Sequence, residues 1–293
     1  CFLCMGLEIN RAFSVGALQP NTRVNQNRYN MVFGTSLTAD TFQSSSVKSL
    51  ATEYYIQKAV NSNPKIRAIV KDFNPKLNLN IDELNELQRG HASDTQKYIN
   101  GIADNLPFSL RSKVDIKAID DAAYLHDVGK VLIPPEVLNK PARLNEQETK
   151  IMHTHSELSY EILKNSSLDK KTLELIRNHH QNAKKTGYPW VGKDFNADLN
   201  LQILSTADKF SALTEQRTYK EPMSNKKALT IIYQDVKDGK LHPFVFKALV
   251  NYVETNSLRS SEPNKITPMT IATTEANITA PAEMSLAMPT RRE

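Results

Sequence analysis

From Ile81 onward the chain alternates apolar and polar residues with a helical period, and it keeps that period almost to its end. In "IDELNELQRGHASDTQKYINGIADNL" (81–106) apolar residues recur three and four apart, which predicts an amphipathic helix capped by Asn80 or Asp82. The same spacing predicts a second helix in "VDIKAIDDAAYLHDVG" (114–129), stopped near Gly129. It predicts a third over 145–165 with Asn145 as cap, a fourth over 167–182 and a fifth over 199–217, whose apolar stripe runs through Leu201, Ile203, Leu204 and Ala207. Segments 224–240 and 242–254 complete the set. A loop, "AKKTGYPWVGKDFNAD" (183–198), separates the fourth helix from the fifth.

The flanks read differently. Residues 1–45 are rich in Asn, Ser, Thr and Gln without a sustained period, as expected of a flexible leader. Residues 46–79 form a short helical segment: "SVKSLATEYYIQKAVN" is amphipathic and ends at the "NSNP" turn (61–64), whereas "KIRAIVKDF" fits strand or helix. After 256 the composition shifts to Ser, Thr, Pro and Ala, the signature of a disordered tail over 257–293. The expected architecture is all-α: one helical bundle over 80–256 with flexible termini.

Composition narrows the function. A net charge of +5 suits an anionic small substrate but falls short of the basic stripe of a nucleic-acid binder. No run approaches the ~18 apolar residues of a membrane span, so the cytoplasm is the expected compartment. Cys1 and Cys4 form a single CxxC with no second pair to complete a zinc site, so they read as a plain chain end.

The histidines are more informative. Of seven, six lie between positions 91 and 180, on the four successive predicted helices. One histidine on an apolar face is ordinarily a satisfied core residue, but these accumulate together with aspartates. His179 and His180 are adjacent and diverge by about 100° on a helix, which suits two neighbouring metals. His126 and Asp127 have the same geometry, and a carboxylate such as Asp127 can bridge two ions. Asp208 interrupts an apolar face, where an unpaired carboxylate is costly to bury. His155 and His91 point to the same interior. Imidazole and carboxylate without thiolate suit Fe, Mn or Zn. Two such ions about 3.5–4 Å apart form a clamp for phosphoester hydrolysis. Lys130 could neutralise a phosphate oxygen or assist the leaving group, or simply complement a helix C-terminus.

Taken in order, "LHDVGKVLIP", "KPARL", "IMHTH", "NHH", "TGYP" and "ADKFSALTEQRTYK" resemble the HD-GYP branch of the HD-domain phosphohydrolases over residues 80–256. The resemblance implies an all-helical domain that hydrolyses cyclic di-GMP to pGpG or GMP with divalent ions, Fe or Mn first and Zn as an alternative. It implies His91, His126, Asp127, His155, His179, His180 and Asp208 as metal ligands, with Asp127 and Lys130 catalytic. Arg217 and Lys220, and Tyr188 of the GYP loop, become substrate contacts. Three-metal members carry a glutamate where this chain has Leu87, so two ions are expected. GGDEF-type cyclases are implied partners, and a homodimer through the N-terminal helix stays open. His153 and His242 fall outside the pattern and are assigned to the surface. The chain departs from the family at Gln181 (usually Glu), Lys184 (Asp), Lys185 (Gly) and Ser211 (Asp), none of them an expected ligand. Other readings are a hydrolase for another cyclic dinucleotide or nucleotide, and a non-catalytic protein that binds a messenger.

Overall fold

A computed structural model describes residues 45–215 and 221–261, which are helical with no strand among them. The leader, the tail from 262 on, Cys1, Cys4, Arg217 and Lys220 lie outside the described residues. Three short helices come first: α1 (Ser45–Leu50), α2 (Glu53–Ser62) and α3 (Pro64–Val70). "KIRAIV" is therefore helix, not strand, because Asn63 caps it and Pro64 sits in its first turn, where the missing N–H costs nothing.

The segment expected as one helix over 81–106 is two, α4 (Ile81–Arg89) and α5 (His91–Asn105), broken at Gly90. Next come α6 (Phe108–Arg111) and α7 (Ile116–Leu125), a 3₁₀ turn (Val128–Leu132), and α8 (Pro135–Leu138). The set ends with α9 (Glu146–Leu163), α10 (Lys170–Asn178), α11 (Leu199–Thr214), α12 (Asn225–Lys237) and α13 (Pro243–Ser261). Helix α13 runs five residues past the boundary expected at 256. The caps follow the sequence: Asn80 accepts from Glu83 N–H, and Asn145 with Glu148 completes a reciprocal capping box.

Helix α5 is the centre of the bundle, packed against α11, α13 and α7, while α10 joins α7 to α9 and the 3₁₀ turn lies along α9. Gly129 makes that last approach close: a Cβ there would stand 2.2 Å from the His155 carbonyl oxygen. Ile56, Val60, Ile66 and Val70 of the N-terminal helices join the same core as Ile99, Leu125, Leu158 and Phe210. Polar groups also tie α3 to α9. Buried Glu161 receives Lys65 at 2.9 Å, Lys164 at 2.6 Å and the Asn63 amide at 2.8 Å. Among the described residues no helix is long and apolar enough to cross a membrane.

Candidate metal centre

Three helix ends and two helix bodies meet in the middle of this bundle. His91 opens α5; His126 and His179 cap the C-termini of α7 and α10, with Asp127 and His180 just beyond; His155 and Asp208 project from α9 and α11. The histidines thus cluster as expected, but His126, His179 and His180 stand at or past helix ends and not within them. All seven expected ligands are brought together, and all but His180 are buried.

Their atoms form overlapping groups: His155, His179 and His180; His91, His126 and Asp208; and His126, Asp127 and His179, each within 4.8 Å. Asp127 faces both halves. Its Oδ2 lies 3.4 Å from His126 Nε2 and 3.8 Å from His91 Nε2, while its Oδ1 lies 3.3 Å from His155 Nε2 and 3.9 Å from His179 Nε2. Asp208 Oδ1 lies 2.9 Å from His91 Nε2 and 3.6 Å from His126 Nε2.

The proton positions follow from the backbone. His126, His155 and His179 each have Nδ1 within 2.8 Å of a main-chain carbonyl three residues earlier, on Ala123, Met152 and Ile176. A carbonyl only accepts, so each Nδ1 carries the hydrogen and, in the neutral ring, each Nε2 presents a lone pair to the cluster. The Nε2 atoms of His155 and His179 are 3.2 Å apart, and His180 Nε2 is 3.1 Å from that of His155.

Electrostatics point the same way. Burial holds the pKa of His155 down to about 3 and that of His180 to about 4, and puts His179 well below its usual range, so these rings are neutral at pH 7. Burial opposes charge on His126 too, but the carboxylates of Asp127 and Asp208 outweigh it and push its pKa up to about 10. Asp127 and Asp208 stay ionised against burial, Asp127 through His126 and Lys130, Asp208 through His126 and His91. Buried His126 Nε2 and Asp127 Oδ1 have no hydrogen-bond partner among the described residues. The neutral rings of His155, His179 and His180, the unpartnered Asp127 oxygen and the two ionised carboxylates fit divalent cations, which would displace the proton of His126. The N/O donor set matches borderline metals.

Lys130 donates to Asp127 Oδ2 at 2.6 Å, so its first partner is the carboxylate. Tyr188 stacks on His153 at 3.7 Å between centroids, with 11° between planes, and packs on His180 at 4.5 Å; burial raises its pKa. His153, assigned to the surface by sequence, is therefore half-buried against Tyr188. Two positions before His155 it points elsewhere on α9, and only the returning loop reveals its partner. Gln181 is buried and closes that loop: its Nε2 donates to the Pro189 carbonyl at 2.5 Å and its Oε1 accepts from Gly187 N–H at 3.2 Å. Gly187 has no room for a side chain, since a Cβ would meet His180 O at 1.9 Å. His242 lies apart from the cluster, beside Phe244.

An all-helical bundle whose helix ends and bodies deliver five imidazoles and the carboxylate of Asp208 around Asp127 defines a class of His/Asp metal-site proteins. Within it the chain belongs to the HD domain family, whose model matches residues 62–244. The HD-GYP resemblance read from its motifs falls in that family. The chain is 29% identical over 170 residues to the 3'3'-cGAMP-specific phosphodiesterase 1 of Vibrio cholerae, an alignment covering 58% of this chain and 39% of that protein. It is 30% identical over 196 residues to a probable cyclic di-GMP phosphodiesterase of the same organism, covering 61% and 44%. The chain thus spans less than half the length of these curated relatives. A similar solved structure is Bd1817, a HDG"Y"P protein from Bdellovibrio bacteriovorus, at 16% identity and a TM-score of 0.48 over 78% of this chain and 69% of that one.

Proposed function

We propose that the protein is a metal-dependent phosphodiesterase that opens a cyclic dinucleotide, cyclic di-GMP being the substrate to test first and pGpG or GMP the products. The observation that carries this reading is the divided carboxylate of Asp127, with one oxygen toward His91 and His126 and the other toward His155 and His179. His91, His126 and Asp208 would hold one ion, His155, His179 and His180 a second, and Asp127 both; Fe or Mn is the first choice and Zn the alternative. Bound there, the ions supply Lewis-acid stabilisation of charge on the phosphoryl group and acidify water.

The chain's own groups do the rest. Buried backbone acceptors keep the imidazoles in the Nε2 lone-pair tautomer, so the site is preorganised before substrate arrives. An ammonium has three donors, so Lys130 can keep Asp127 oriented and turn another N–H toward a phosphate oxygen. Tyr188, held by His153 and His180, forms a wall against which the dinucleotide lies. Arg217 and Lys220 would add positive charge for its phosphates. The name of the Vibrio cholerae relative supports a second substrate, 3'3'-cGAMP, which leaves the same chemistry unchanged. GGDEF-type cyclases, which make such substrates, are the partners this reading implies.

The test is turnover of cyclic di-GMP and 3'3'-cGAMP by protein reconstituted anaerobically with Fe(II) or Mn(II), beside Asp127→Ala. Product formation lost in the variant supports the reading, and the preferred substrate decides between the two dinucleotides. Two ions bound without turnover of either dinucleotide overturns it in favour of a messenger-binding role.

A further inference from the structure

Three of the buried imidazoles share one device: Nδ1–H donates to the carbonyl three residues earlier, which turns Nε2 into the cluster. His91 does not use it. It is the first residue of α5, Gln88 three residues back belongs to α4, and the N-cap, Gly90, has no side chain to help. Its ring nitrogens are met by side chains of α11 instead. Nε2 lies 2.9 Å from Asp208 Oδ1; Nδ1 lies 3.1 Å from Ser211 Oγ and 3.7 Å from Glu215 Oε2.

These three residues follow one another at i, i+3 and i+7, one stripe of α11 that ends at its C-cap, Glu215. The division of labour among them is chemical. A hydroxyl can donate to Nδ1 or accept from it, so Ser211 alone leaves both tautomers of His91 available. An ionised carboxylate only accepts. Without an ion Asp208, at 2.9 Å, draws a hydrogen to Nε2; once a metal takes that nitrogen, the charge of Glu215, 3.7 Å from Nδ1, favours the hydrogen there. In the resemblance drawn above, position 211 is usually an aspartate; here that carboxylate is missing, and one stands a turn further along the same helix.

We propose that Glu215, acting with Ser211, is the positioning residue that fixes the tautomer of His91 and so delivers its Nε2 lone pair to the metal half-site shared with His126 and Asp208. Carboxylate–histidine–metal arrangements of this kind typically change metal affinity 10–100-fold when broken. The proposal rests on the metal-centre reading but not on any substrate.

Zinc alone is the probe, because it is diamagnetic and its affinity can be read by competition with a chromophoric chelator. The full chain is compared with Ser211→Ala, Glu215→Gln and the double variant Ser211→Asp/Glu215→Gln. Glu215→Gln should weaken one of two zinc equivalents about 10–100-fold and leave the other unchanged. Returning the carboxylate at 211 in the double variant should restore it. Long-range ¹⁵N spectra of the zinc-loaded protein should show His91 hydrogenated at Nδ1. Both equivalents held as tightly in Glu215→Gln as in the parent, or both lost together without rescue by the double variant, would overturn the proposal. Failure of the parent itself to bind zinc overturns the metal-centre reading, and this proposal with it, and is recognisable because no variant is involved.

Discussion

His155 Nε2 and His179 Nε2 stand 3.2 Å apart in buried space, each ring already committed at Nδ1 to a backbone carbonyl. Two lone pairs at that separation repel unless a cation lies between them or a proton joins them. Burial disfavours the proton, holding the His155 pKa to about 3 and that of His179 well below its usual range. Metal ions should therefore stabilise the folded state. At a hundred times its dissociation constant, an ion adds about 2.7 kcal/mol. A thermal midpoint that rises with added Mn(II) or Zn(II) in the parent, and much less in His155→Ala, is the expected result of calorimetry.

Gly129 lets Asp127 and Lys130 approach α9, where the backbone N–H of Gly129 donates to Ser159 Oγ at 2.8 Å. In Gly129→Ala the new methyl would meet backbone atoms of His155 and Ser159 at 2.2 and 2.6 Å, so the 3₁₀ turn must move. Overpacking of this kind costs about 1–3 kcal/mol. The expected signature is a folded, less stable protein that binds fewer ions, read by circular dichroism and metal analysis on one sample.

Gln181 holds the GYP loop by both ends of its amide. Gln181→Glu, the residue usual in the family, replaces the donor to Pro189 O with an oxygen, setting acceptor against acceptor. Leaving that buried group unsatisfied costs about 1–3 kcal/mol. Lys184 and Lys185 in this loop are exposed, so limited trypsin digestion should cut there faster in the variant than in the parent. Equal cutting rates would mean that the amide does not hold the loop.

Glu161 gives a pH dependence remote from the metal cluster. Burial raises its pKa, but Lys164, Lys65 and the Asn63 amide outweigh this, and the net shift is downward. A depressed folded-state pKa stabilises the native protein above the unfolded value of about 4.3 and loses that contribution as pH falls through the folded value. Glu161→Gln should cost about 1–2 kcal/mol at pH 7. The gap in urea midpoint between parent and variant should close toward pH 3; a gap that stays constant would show that the ion pairs contribute nothing.

His153→Ala should leave the ions bound and loosen Tyr188, since an aromatic pair contributes about 0.5–1.5 kcal/mol. A raised KM at unchanged metal content is the expected kinetic result, with His153→Phe close to the parent.

The helices from 81 onward, their caps at Asn80 and Asn145, and the gathering of the expected ligands were legible along the chain, because each depends on spacing within a few residues. So was the family. The break at Gly90 was not: the hydrophobic period continues across it, and only the packing of α5 into the centre separates the two helices. His153 was dismissed because its partner, Tyr188, returns from a loop 35 residues later. The Glu161 network has the same character, with partners 96 residues apart in the case of Lys65.

By itself, then, the sequence determined a helical bundle with five histidines and two aspartates available to one interior, since helical periodicity and residue chemistry are local properties. Tertiary structure alone decided which nitrogen of each ring faces the cluster, which halves of the site Asp127 joins, and which carboxylate stands behind His91. Those depend on the sub-ångström meeting of helix ends that are far apart in the chain, and a hydrogen bond changes direction and strength over that scale.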